Sequence, residues 1–236
     1  MGAGGKVCLG ARDVPSLSAD SLKAPHSTAM APKSALIIVD LQEDFCPPNG
    51  SLAVTSGRDI VPIVNALLAA PFFDVRVATK DWHPHDHVSF AENHPPPNNK
   101  PFESFAKIVN PFNDAESYET RLWPVHCVQG TPGAELVPEL NLARIDKIVE
   151  KGQDKRVEIE LRGYLKENAV TKAYVVGLAM DYCVRATALD AVKEGFETYI
   201  IEDATKAVDP KEGWDKARVD MEEKGIKFVT STDIIS

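Results

Sequence analysis

The 236-residue chain contains no apolar run long enough to span a bilayer, no cluster of lysines and arginines, and no closely spaced pair of cysteines. The first absence argues against a transmembrane helix. The second, with a formal net charge of −9, argues against nucleic acid or an anionic membrane surface as a partner, since both reward concentrated positive charge. The four cysteines, Cys8, Cys46, Cys127 and Cys183, are widely scattered, and no secretory signal precedes them, so reduced thiols in an intracellular compartment are expected. A cytoplasmic protein, extending to the nucleus or peroxisome, is the predicted location. Arginine is also scarce at the start, where Arg12 stands alone among the first 33 residues beside two aspartates, and a mitochondrial address is disfavoured. That stretch, rich in Gly, Ala, Ser, Lys and Pro, is expected to be a flexible N-terminal extension spanning 1–33, with one folded domain over 34–236.

Beyond Ser34 the chain alternates two patterns. Apolar, β-rich runs at Ala35 to Val39, Val75 to Thr79, Ile145 to Val149, Ala173 to Leu178, Thr198 to Ile201 and Lys227 to Val229 predict six strands. Helical spacing near Arg58 to Ala69, Arg156 to Asn168, Asp181 to Glu194 and Trp214 to Lys224 separates several of them. This order predicts an α/β fold with a doubly wound, mostly parallel six-stranded sheet flanked by helices. The segment Pro84 to Pro132, full of prolines and asparagines, shows little periodicity and is expected to lie as a long functional loop over one end of the sheet.

In such sheets reactive groups collect beyond the carboxyl ends of the strands. That rule selects Asp40, then Lys80, Asp81 and His83, then Glu150 and Lys151, then Ala179 to Cys183. Cys183 falls where a buried strand gives way to a helix, and the helix N-terminus favours its thiolate. A buried structural cysteine is the ordinary alternative, as are a loop-capping Asp40 and a solvated Lys151. Taken together, however, a thiol, a carboxylate and an ammonium suit a cysteine hydrolase. Asp40 would serve as general base and acid, and Lys151 would stabilise the charged partners. A second constellation, Asp81 and His83 two residues apart with His126 far along the chain, has the donor types and open positions of a catalytic metal site. Cys127 adjoins His126 but should face the other way, as a packed thiol. His87 is intermediate, and His85 and His94 are left unassigned.

The motifs Val39-Asp40-Leu41-Gln42-Glu43-Asp44-Phe45, Lys80-Asp81-Trp82-His83-Pro84, Trp123-Pro124-Val125-His126-Cys127, Val149-Glu150-Lys151-Gly152 and Val176 to Thr187 occur in this order. In that combination the chain resembles the nicotinamidase branch of the isochorismatase-like cysteine hydrolases, over essentially Ala35 to Ile235. The resemblance implies a three-layer, Rossmann-like sandwich. It implies a catalytic triad of Asp40, Lys151 and Cys183, an oxyanion hole from the backbone N–H groups of Ala179 and Cys183, and a cis peptide between Leu178 and Ala179. It implies one divalent metal ion on Asp81, His83 and His126, zinc first with iron or manganese as alternatives, and a histidine near His87 as a further ligand in some relatives. Phe45, Trp123 and Tyr182 match positions that sandwich a pyridine ring.

The activity so implied is hydrolysis of nicotinamide to nicotinate and ammonia through a cysteine thioester in NAD salvage, with pyrazinamide as a second substrate and homo-oligomers common. Two other readings remain at this point. An amidohydrolase acting on a carbamoyl or ureidoacrylate-like compound is disfavoured by the Asp-Trp-His ligand set. A catalytically silent sensor that binds nicotinamide is disfavoured by the presence of all three triad residues.

Overall fold

The computed structural model describes residues 32–109, 117–153 and 162–235. The expected extension over 1–33 therefore lies almost wholly outside the described residues, as does the first part of the helix expected from Arg156. In chain order the elements are β1 (Lys33–Val39), α1 (Val61–Ala69), β2 (Val75–Asp81), β3 (Phe105–Val109), β4 (Ser117–Arg121), β5 (Lys147–Lys151), α2 (Arg162–Glu167), β6 (Val170–Leu178), α3 (Arg185–Lys193), β7 (Glu197–Lys206), α4 (Glu212–Glu223) and β8 (Lys227–Val229).

Six of the strands form one sheet in the order β5-β2-β1-β6-β7-β8, and every neighbouring pair is parallel. The α/β doubly wound expectation is met. Side chains alternate across β1 as the pleat requires: Leu36 and Ile38 enter one core with Val61, Val64, Leu67 and Leu68 of α1. Ala35, Ile37 and Val39 enter the other with Ala188 and Ala191 of α3 and Ala217 and Met221 of α4. Burial on both faces explains why these strands read as continuous apolar runs.

The strand order reverses between β1 and β6, so the chain leaves this central pair in opposite directions and opens a crevice beyond their carboxyl ends. The two strands approach closely at Gly177, where a Cβ would lie 2.1 Å from the Val39 carbonyl oxygen. No helix among the described residues is long and apolar enough to cross a membrane.

Two expectations need correction. The third strand of the sheet occupies Lys147–Lys151 rather than Ile145 to Val149. The Asp146 carboxylate accepts the Arg76 N–H at 2.7 Å, and Asp146 N–H donates to the Arg76 carbonyl at 2.9 Å. This clasp delays the ladder, which then runs from Val77 opposite Lys147 to Asp81 opposite Lys151. Second, the stretch from Pro84 to Pro132 is not irregular throughout, because β3 and β4 form an antiparallel hairpin. The period-two pattern of β3 is present in its burial, with Ala106 and Ile108 inward. The exposed positions, however, include the apolar Phe105 and Val109, which masks the alternation in the sequence.

Candidate active site

Four strand exits converge on the crevice. Asp40 follows β1 with φ at 47°, a left-handed conformation uncommon outside glycine. Its N–H donates to the Thr79 carbonyl at 3.2 Å, and its Oδ1 accepts the Thr79 hydroxyl at 2.7 Å. The residue is fully buried. Lys151 closes β5, two strands away, and its Nζ lies 2.9 Å from Asp40 Oδ2 while also contacting Asp81 Oδ1.

Cys183 was expected in the first turn of an ordinary helix. It lies instead in a wider turn, Met180–Val184, ahead of α3, in which Val184 N–H reaches back five residues to the Ala179 carbonyl at 3.0 Å. Such wide turns are often found at functional sites. The thiol is half-buried, and its Sγ lies within 4.8 Å of carboxylate oxygens of both Asp40 and Asp81. The Leu178–Ala179 peptide is cis.

The charges here are unevenly set. Burial, helped by the Asp81 anion and opposed by Lys151, raises the Asp40 carboxyl above its ordinary range. Burial pushes Asp81 in the same direction, but Lys151 and the neighbouring imidazoles outweigh it and hold that carboxyl well below its ordinary range. Lys151 is half-buried, and although desolvation disfavours its charge, Asp40, Asp81 and Cys183 together keep its ammonium charged. Two carboxylates on one cation thus differ in basicity, and Asp40 is the better proton acceptor.

Asp81, His83 and His126 present one donor atom each, all within 4.8 Å of one another and all buried. Asp81 Oδ2 stands 3.6 Å from His83 Nε2. The Nδ1 atoms of His83 and His126 face backbone carbonyls, of Gly152 at 3.0 Å and Pro124 at 2.7 Å. Each carbonyl can only accept, so each ring carries its proton on Nδ1 and turns the Nε2 lone pair inward, an arrangement that recurs at metal-binding histidines. Burial, with His83 nearby, lowers the His126 imidazolium to about 4, so this ring is neutral, as a ligand must be, at ordinary pH. Gly152, with φ at 66°, is needed here because a Cβ would lie 2.3 Å from His83 Cε1. The donor set and these outer partners fit a divalent ion.

The remaining histidines separate clearly. The buried His87 ring stacks on His83 at 4.0 Å and meets the Ser89 hydroxyl at 2.7 Å, but it is outside the three-donor group. His94 meets the Val88 carbonyl at 2.7 Å, and His85 is exposed. Cys127 is a buried thiol whose burial raises its pKa far above the ordinary range.

A cavity of about 520 Å³ opens onto Cys183, with Phe45, Trp123, Ala179, Tyr182 and His126 in its walls. Trp123 meets Tyr182 edge to face at 5.0 Å, and Phe45 lies 5.6 Å from His126. Reading the sequence missed the outer wall, to which the hairpin contributes Phe105, Tyr118 and Arg121. It also missed Gln42, whose fully buried amide bonds the main chain of Asp81 in both directions.

A doubly wound α/β sheet with a thiol, an ion pair and metal donors at its switch point defines an enzyme-type crevice. The chain belongs to the isochorismatase family, whose domain matches residues 34–233. It is 39% identical over 214 residues to a nicotinamidase of Acinetobacter baylyi, covering 85% of this chain and 94% of that one. Its fold is similar to that of the yeast nicotinamidase bound to the inhibitor nicotinaldehyde, with a TM-score of 0.75 at 31% identity over 84% of this chain and 99% of the other. It is similar as well to a pyrazinamidase of Pyrococcus horikoshii in complex with zinc, with a TM-score of 0.66 at 38% identity over 84% and 99% of the two chains.

Proposed function

We propose that this chain is an amidohydrolase that converts nicotinamide to nicotinate and ammonia, and pyrazinamide to its acid, in the salvage of nicotinamide toward NAD. The observation that carries the reading is that Asp40, paired with Lys151, lies within 4.8 Å of Cys183, in a cavity wall that Asp81 and His126 share, with His83 beside those two. The nicotinamidase relatives and the nicotinaldehyde-bound yeast structure support this choice of substrate.

Asp40 takes the proton of Cys183, a role suited to a carboxyl whose basicity burial has raised. The thiolate attacks the amide carbon, and the oxyanion is received by the N–H groups of Ala179 and Cys183. Asp40 returns the proton to the leaving nitrogen, ammonia departs, and the thioester remains on Cys183. Water, deprotonated by Asp40, then cleaves the thioester to release nicotinate, and the departing Cys183 thiolate is left beside the protonated Asp40, from which it regains its proton. Lys151 on Oδ2 and the Thr79 hydroxyl on Oδ1 hold the Asp40 carboxyl in place between these steps. Phe45, Trp123 and Tyr182 supply apolar faces for the flat ring.

Asp81, His83 and His126 would hold one divalent ion, zinc first on the strength of the zinc-bound relative, with iron and manganese accepted by the same donors. When bound, such an ion would supply Lewis acidity to the substrate ring. Purified protein supplied with metal is expected to release ammonia from nicotinamide, and Cys183→Ala is expected to abolish that release. Absence of turnover in the metal-supplied protein would overturn the proposal.

A further inference from the structure

Two polar side chains in the segment after Asp40 take no part in the chemistry above: one ends on the backbone of the metal donor Asp81, the other on the backbone of the residue that follows the metal donor His126. Gln42 is fully buried. Its Oε1 accepts the Asp81 N–H at 2.8 Å, and its Nε2 donates to the Asp81 carbonyl and to the Ala134 carbonyl, each at 2.8 Å. The side-chain amide thereby behaves as one more peptide unit of the sheet. The β1–β2 ladder stops at Ile38 opposite Ala78, and Gln42 resumes it three residues later on the strand end that carries the carboxylate. A side-chain amide of this length can both accept from the Asp81 N–H and donate to two carbonyls there.

Asp44 performs the matching task on the other side. Its Oδ2 accepts the Cys127 N–H at 2.7 Å. Cys127 has φ at 47°, a conformation seldom adopted by a residue with a side chain, and it directly follows His126. Gly133 makes room for this contact, because a Cβ there would lie 2.3 Å from both Asp44 carboxylate oxygens. Asp81 and His126 reach the centre from segments 45 residues apart in sequence, and the four residues after Asp40 hold both.

We infer that Gln42 and Asp44 are positioning residues of the metal centre, the amide fixing the main chain of Asp81 and the carboxylate fixing the turn that presents His126. This rests on the reading of Asp81, His83 and His126 as a metal site. It deepens that reading by making the segment that starts at Asp40 the frame for the metal donors. Partners one step removed from a metal commonly change affinity by about 10–100-fold when lost, because they fix ligand orientation.

The test measures zinc affinity of the full-length chain by competition with a chromogenic chelator, together with the absorption spectrum of the cobalt-loaded protein. Thermal melting of the metal-free protein is followed in parallel. Gln42→Leu and Asp44→Ala are expected to weaken zinc by about 10–100-fold and to alter the cobalt spectrum. Asp44→Asn, which keeps an acceptor oxygen, should retain affinity close to that of the parent. Val64→Ala, on the core-facing side of α1, is the control: it should lower the melting temperature without changing zinc affinity. Gly133→Ala, which leaves both side chains intact and only crowds Asp44, keeps the test open if another variant does not fold, and should also weaken zinc. Zinc affinity unchanged in folded Gln42→Leu and Asp44→Ala, or lowered no more than in Val64→Ala, would overturn the inference while leaving the metal site standing. An unmodified chain that takes up no metal would end the metal-site reading itself, and the inference with it.

Discussion

Lys151 Nζ lies 2.9 Å from Asp40 Oδ2 although their strands are not neighbours, since β2 runs between β5 and β1. The lysine crosses the end of β2 to make this contact, and on the way it touches Asp81, its own pairing partner in the ladder. One ammonium therefore joins the carboxylate next to the thiol to the carboxylate among the metal donors. The two halves of the site share a charge rather than merely a cavity.

Removing that charge has a double consequence. Lys151→Met would leave two buried carboxylates facing each other without a cation, and breaking one side of such a pair costs about 3–5 kcal/mol. Ammonia release is expected to fall by more than about 10²-fold, because the negative charge developing at the carbonyl and on the thiolate loses its counter-ion. Urea denaturation and a steady-state assay on the same preparation check both parts.

Asp40 sets the direction of the pH dependence. Its pKa in the folded protein is raised above the ordinary 3.8, chiefly by burial. The folded state thus holds this proton more tightly than the unfolded chain does. The resulting contribution to stability is fully present below pH 3.8 and is lost as pH rises through the folded value. At neutral pH the ionised Asp40 weighs against folding, so Asp40→Asn is expected to be inactive yet at least as resistant to urea as the parent at pH 7. That advantage should shrink on acidification. The acid limb of kcat/KM in the unmodified chain should lie above 3.8, and a limb at or below that value would show that burial does not raise the basicity of Asp40.

Much of this arrangement is legible in the sequence, for reasons specific to each element. Asp81 and His83 are two apart on an extended exit, and that spacing alone puts both on one side. Lys151 is found by the strand-exit rule even though the strand itself begins two residues later than its apolar run suggests, because the Asp146 clasp is polar and leaves no periodic mark. The hairpin is hidden by Phe105 and Val109, which are apolar at outward positions, Phe105 at the cavity wall. Gln42 is hidden for a different reason. Its partners are backbone atoms of residues far along the chain, and backbone partners impose no residue type that a sequence could display.

The aromatic walls should separate binding from chemistry. Trp123 packs edge to face on Tyr182 at 5.0 Å and on Phe102 at 5.8 Å. Trp123→Ala is expected to raise KM for nicotinamide by about tenfold, the scale of a lost aromatic contact and its buried area, with a smaller change in kcat. Initial-rate measurements over a range of nicotinamide concentrations decide this, and a loss confined to kcat would show that Trp123 does not form the ring's wall.

Gly152 offers the sharpest steric test of the histidine geometry. It combines φ at 66° with a position where a Cβ would lie 2.3 Å from His83 Cε1 and 2.5 Å from Nδ1. Gly152→Ala must therefore pay about 1–2 kcal/mol for the left-handed backbone and also push the imidazole off the Gly152 carbonyl that orients it. Metal retention after dialysis against a weak chelator should fall and nicotinamide turnover should fall with it. Excess zinc should restore part of the turnover, since the donors remain and only their alignment is disturbed. A Gly152→Ala protein that keeps its metal and its rate would mean that His83 tolerates displacement, and that its contact with the Gly152 carbonyl does not set the orientation of the ring.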